Sequence, residues 1–207
     1  MPLLLFLLAL HLPTQTAPAQ TAPGRPGKPV AAPTPTLRAT PTATAPPPAK
    51  VVAEPIMWSA SRPLIAADFK ARPSYMPAAA LTVADLKATA ACKDYVFAGG
   101  VKATFDPNTS WIKDPKTLTP ALLRHEQLHF DIAELNARRI RQKISLTKFD
   151  CLKLQPAFDN LTKPAYRVWG AEGNRYDAET NHGLNAAKQA LWEQQIAAKL
   201  LELKAFE

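Results

Sequence analysis

Long apolar runs are scarce in this chain. After the first dozen residues no stretch approaches the roughly 20 consecutive apolar residues that a membrane-spanning helix needs. Cysteine is nearly absent, with Cys92 and Cys151 the whole supply and no Cys-x-x-Cys pair, which excludes a thioredoxin-like redox motif and a cysteine-built zinc knuckle. There is no Gly-rich phosphate loop, so nucleotide chemistry has no cradle. Acidic residues are missing altogether before Glu54. Histidine is limited to four residues, of which His11 sits in the opening apolar run.

Charge excludes little more. The formal net charge is +8, but Arg25, Lys28, Arg38 and Lys50 account for four of the basic residues, and from Val51 onward the net charge is only +4. That is too weak to argue for nucleic acid. The basic tail could at most favour loose contact with anionic envelope surfaces.

Leu3 to Leu12 is apolar apart from His11, too short to span a bilayer, and followed by the small-x-small pattern Ala17-Pro18-Ala19. It reads as an export signal over residues 1–19, atypical in having no Lys or Arg ahead of the apolar run. No cysteine follows that run to carry a lipid anchor, and no stable membrane span is expected once the signal is removed. Twelve of the 21 prolines fall in the first fifty residues, mixed with Thr and Ala, so residues 20–54 are expected to be a disordered, semi-extended linker. The folded domain is expected over residues 55–207. In an oxidising compartment Cys92 and Cys151 are expected to pair, closing a loop of roughly sixty residues that stabilises by about 4 kcal/mol in the loop-entropy picture.

The first half of the domain reads as β. Ala80 to Cys92 alternates intermittently. Tyr95 to Ala98, Gly99-Gly100 and Val101 to Phe105 read as a hairpin turning at the glycines, and Ser110-Trp111-Ile112 as an edge strand. The second half reads as helix. Thr119-Pro120 supplies an N-cap and a proline at the first helical position, and no Gly or Pro follows until after Phe149. Lys148 to Pro156 is a break, Gly170 and Gly173 interrupt the next stretch, and Asn185 to Leu203 is a terminal amphipathic helix. Its expected buried side is Ala186, Ala190, Leu191, Ala197, Leu200 and Leu201. The four tryptophans are expected in the core. The run Arg138, Arg139, Arg141, Lys143 is expected to favour the helix dipole and solubility.

Chemistry concentrates in His125-Glu126-Gln127-Leu128-His129. Residues four apart on a helix share a face one turn apart, so His125 and His129 can hold one zinc ion together. Glu126 points off that axis and suits a general base acting on water whose pKa the zinc lowers to about 7. A catalytic zinc needs a third protein ligand. The segment Tyr176-Asp177-Ala178-Glu179-Thr180-Asn181-His182-Gly183 offers His182 first, with Glu179 and Asp177 as alternatives. Asp131 and Glu134 are candidates for orienting the imidazoles. Tyr176 is a candidate oxyanion donor, or else a half-buried aromatic.

The run from Leu123 through Glu134, followed by Ala137-Arg138, resembles the bacterial domain-of-unknown-function family 922, which is described as predicted secreted zinc-dependent proteases. Tyr176 to Gly183, Trp58 with Arg62-Pro63-Leu64 and Asp68-Phe69, and Ser110-Trp111 fit its pattern too, from roughly Ile56 to the end. The resemblance implies an α+β, zincin-like metallopeptidase domain in the cell envelope or outside the cell. It keeps Asp177, Thr180 and His182 together without deciding which touches the metal. The function expected is that of a secreted or periplasmic zinc metallohydrolase, with one zinc ion and a peptide or protein substrate. A non-catalytic zinc-binding envelope protein and a metal-free interaction domain are the alternatives.

Overall fold

The structure is a computed structural model, and it describes residues 52–207. The export signal and all but the last three residues of the linker expected from sequence lie outside the described residues. Five strands precede three long helices: β1 (Ile56–Met57), β2 (Ala80–Leu81), β3 (Ala84–Lys93), β4 (Val96–Phe105), β5 (Trp111–Ile112), α1 (Pro120–Ser145), α2 (Leu154–Thr180) and α3 (Ala186–Glu202). The α+β order expected from sequence is observed. Among the described residues no helix is long and apolar enough to cross a membrane.

β3 and β4 form a long antiparallel hairpin, and β1 pairs with the far edge of β4. The hairpin turns at Asp94-Tyr95, whose φ angles of 51° and 60° belong to a tight two-residue turn, between the paired Lys93 and Val96. The turn expected at Gly99-Gly100 is therefore misplaced, since both glycines lie inside β4, opposite Ala90 and Thr89. Gly99 is needed there for another reason. A Cβ at that position would stand 2.6 Å from the Phe97 ring and 2.7 Å from the Thr89 carbonyl. β5 does pair at an edge, but with β2 in a separate two-stranded sheet.

α1 begins as its sequence dictates. The Thr119 hydroxyl accepts from the Leu122 N–H at 3.1 Å, with Pro120 in the first turn. The helix is a central layer and is buried on two sides. Phe130, Ala133, Ala137 and Ile140 pack with Val101 and Phe105 of the sheet. Leu128, Ile132 and Leu135 pack with Tyr176, Trp192 and Ile196 of α2 and α3. The disulfide between Cys92 and Cys151 ties the end of β3 to the turn before α2.

Three expectations are corrected by the packing. α2 runs unbroken through Pro164, Gly170 and Gly173, because the helix is held by its tertiary contacts and each glycine costs only about 1 kcal/mol against alanine. α3 buries Gln189, Trp192 and Ile196, with Trp192 packed against Tyr176, whereas of the expected face Ala186, Ala190, Leu191, Ala197 and Leu201 are exposed and Leu200 is half-buried. The arginine run is structural. Buried Arg138 pairs with Glu134 at 2.8 Å and Glu207 at 3.0 Å, Arg139 with Glu172 at 2.7 Å, and Arg141 with Glu134 and the Val101 and Phe206 carbonyls. Of the tryptophans, Trp111 and Trp192 are buried, while Trp58 and Trp169 sit half-buried at the core edge.

Candidate metal centre

α1 carries His125 and His129 on one face, and the last turns of α2 bring Asp177 against them. His125 Nε2 lies 3.2 Å and His129 Nε2 2.9 Å from Asp177 Oδ1. These residues form a group whose ligand atoms all lie within 4.8 Å of one another, a set that could hold a metal ion. Both separations are short, yet neither contact is a hydrogen bond. Asp177 Oδ1 is therefore buried with no hydrogen-bond partner among the described residues. The three atoms lie close enough together to share one cation. Burial pushes the Asp177 carboxyl up, but the two imidazoles pull it down harder and hold it well below the usual carboxylate range.

The group opens into a cleft of about 660 Å³. Glu126, 4% exposed, lines this cleft, and its carboxylate makes no hydrogen bond or ion pair among the described residues. Leu81, Ile132 and Trp169 supply apolar wall, while Gly170 and Gly173 leave space where side chains would intrude.

The chain reverses directly after α2, past Asp177. Asn181, His182 and Gly183 have φ of 49°, 52° and 80°, so the chain reverses through three left-handed residues. Buried Thr180 anchors the reversal, donating its hydroxyl to the Tyr176 carbonyl at 2.7 Å and accepting from the Gly183 N–H at 3.2 Å. Gly183 is pressed against His125, and a Cβ there would lie 3.0 Å from the imidazole Cγ.

His182, the first choice for third ligand from sequence, lines the rim of the cleft with its side chain 73% exposed, Nδ1 3.8 Å from Asp177 Oδ1. The tight group is completed by Asp177, which stood among the alternatives. Glu179 is occupied elsewhere, accepting from Trp192 Nε1 at 2.9 Å. Asp131 accepts from Trp58 Nε1 and Gln127 Nε2, both at 2.8 Å, and Glu134 serves the arginines; neither hydrogen-bonds a histidine among the described residues. Burial pushes the Asp131 carboxyl above its ordinary value despite those two donors.

Tyr176 is fully buried. Its ring stacks on His125 with centroids 4.7 Å apart, and its hydroxyl donates to Gln189 Oε1 at 2.8 Å and lies 3.2 Å from the His125 carbonyl oxygen. Burial raises its hydroxyl pKa far above the ordinary value. The hydroxyl is thus already engaged, and the ring lies deeper than the half-buried aromatic considered from sequence. Sequence reasoning missed Gln189. Its signal was a polar residue on the stripe Gln189, Trp192, Ile196 of α3, where a buried amide must find partners.

Residues 100–183 match the model of a family described as bacterial protein of unknown function (DUF922). The match takes in both histidines of the pair, Glu126, Asp177 and His182, so the resemblance read from sequence holds over this segment. No curated protein and no solved structure matches the chain.

Proposed function

We propose that this chain is a zinc-dependent hydrolase of peptide bonds, acting outside the cytoplasm, with His125, His129 and Asp177 as zinc ligands and Glu126 as general base. One observation carries the reading: two imidazole nitrogens and a buried carboxylate oxygen without a hydrogen bond converge at a cleft. An unsatisfied buried acceptor is costly, and a divalent cation is the partner that these three atoms can share. Two imidazoles and a carboxylate also suit Fe(II), but an unengaged glutamate directly after the first histidine is what hydrolysis needs and oxygenase chemistry does not.

When bound, zinc supplies Lewis acidity toward the scissile carbonyl and lowers the pKa of water to about 7. The chain's own residues do the rest. The Glu126 carboxylate takes the proton from the attacking water as the carbonyl carbon gains its new oxygen, and returns it to the amine as the C–N bond breaks. Leu81, Ile132 and Trp169 line the cleft with apolar surface that limits bulk water. His182 stands outside the ligand set in this reading, at the rim. The Cys92–Cys151 bridge is the chemistry of an oxidising compartment and supports export by the expected signal over residues 1–19.

The test is cleavage of a diverse peptide mixture by zinc-loaded protein, followed by mass spectrometry, beside Glu126→Gln. The reading expects cleavage by wild type and a loss of roughly 10²–10⁴-fold in Glu126→Gln with zinc retained. No cleavage by zinc-loaded wild type, or equal cleavage by the two proteins, would overturn it.

A further inference from the structure

His125 is held from behind by a buried polar network to which nothing yet assigns a role. Gln189 of α3 is 6% exposed, and its Oε1 lies 3.3 Å from His125 Nδ1 and accepts from the Tyr176 hydroxyl at 2.8 Å. Its Nε2 donates to Glu193 Oε1 at 3.0 Å. A carboxylate only accepts, so Glu193 demands the amide nitrogen on its side and turns the amide oxygen toward His125. An amide oxygen in turn only accepts, so the nitrogen it faces on His125 must carry the proton. With the proton on Nδ1, the lone pair sits on Nε2, the atom that faces Asp177 Oδ1 at 3.2 Å beside His129 Nε2.

We infer that Gln189 is the positioning residue for His125, fixing the imidazole with its proton on Nδ1 and its metal-binding lone pair on Nε2. The inference rests on the zinc reading above and goes beyond it by assigning how one ligand is prepared. The geometry around the ring agrees. Tyr176 stacks on one face, its own orientation set by the bond to Gln189, and Gly183 closes against the Cβ and Cγ atoms. His125 is 3% exposed, so no water competes for Nδ1 as it would in an open site. The second ligand differs, because His129 has its side chain 21% exposed and has no comparable amide behind it among the described residues. α3, which supplies no ligand, thus acts on the site through this one amide.

The experiment measures zinc affinity of the full chain by competition with a chromophoric chelator, together with the His125 tautomer by nitrogen NMR on the metal-free wild type. Gln189→Leu keeps the bulk and removes the acceptor, and is expected to bind zinc about 10–100-fold more weakly. The exchange Gln189→Glu with Glu193→Gln keeps an acceptor facing His125 and reverses the hydrogen bond behind it. It is expected to recover affinity to within about threefold of wild type, which a merely structural role would not produce. The wild-type imidazole is expected as the Nδ1–H tautomer. A folded Gln189→Leu protein with wild-type affinity, or an exchange no better than the leucine variant, would overturn the inference. Should the leucine variant not fold, the tautomer decides: an Nε2–H ring, donating to Asp177, sinks it. Wild type that takes up no zinc while showing an Nδ1–H ring would instead remove the zinc reading and leave the place of Gln189 intact.

Discussion

Replacing Gly183 by alanine adds a single methyl group, and the structure says where it goes. The added Cβ would meet His125 Cβ and Cγ at 3.0 Å and Nδ1 at 3.2 Å. Comfortable carbon contacts lie at about 3.5–4.0 Å, so the imidazole would have to retreat by roughly 0.5 Å. It has little freedom to do so, with Tyr176 stacked on the ring and fully buried. Overpacking of this kind costs about 1–3 kcal/mol. Holding alanine at φ of +80° adds roughly 1 kcal/mol. The sum is about 2–4 kcal/mol, and at roughly 2–4 °C per kcal/mol for a domain of this size the melting temperature should fall by about 5–15 °C. Differential scanning calorimetry on the disulfide-intact protein reads that loss. The same displacement approaches the tolerance of about 0.5 Å that a ligand constellation allows, so zinc affinity should fall with it. A variant that melts within about 2 °C of wild type and binds zinc equally well would refute the close approach of Gly183 to His125 as a constraint.

The other predictions concern the cleft, the bridge and one ion pair. Gly173 has open space around its Cβ direction and lines the cleft, so Gly173→Leu should stabilise α2 by up to about 1 kcal/mol while reducing peptide cleavage and leaving zinc binding unchanged, a split that calorimetry and turnover assays measure together. Removing the bridge by Cys92→Ser with Cys151→Ser should cost roughly 2–5 kcal/mol, read from the urea midpoint. Asp68 accepts from the two terminal Arg62 guanidinium nitrogens and the Ile65 N–H; burial pushes its carboxyl up, but these partners outweigh burial and bring it below its ordinary value. A depressed carboxyl stabilises the fold above its unfolded pKa of about 3.9 and loses that contribution as pH falls through the folded value. The gap in urea midpoint between wild type and Asp68→Asn should therefore be widest near neutrality and close below about pH 4.

What the sequence makes legible follows from range. The start of α1 is written locally, since Thr119-Pro120 caps and fixes the first turn, and the pairing of His125 with His129 follows from helical spacing alone. The hairpin turn at Asp94-Tyr95 escapes because a tyrosine in a left-handed conformation carries no turn signal, while of the two glycines that suggest a turn Gly99 is spent on clearance for Phe97 inside β4. α2 escapes its apparent breakers because packing overrides propensity. Asp177 and Gln189 depend on how α2 and α3 dock on α1, a non-local arrangement that no spacing encodes; the segment Tyr176 to Gly183 is identifiable as part of the site, but which residue within it faces the histidines is set by that docking.

Metal analysis of the purified full chain after zinc loading and desalting at neutral pH, on wild type beside Asp177→Ala and His182→Ala, bears most directly on the site. One zinc per chain in wild type and in His182→Ala, with stoichiometric binding lost in Asp177→Ala, is the result expected from the convergence of His125, His129 and Asp177. No zinc in wild type, or zinc kept by Asp177→Ala and lost by His182→Ala, would contradict it.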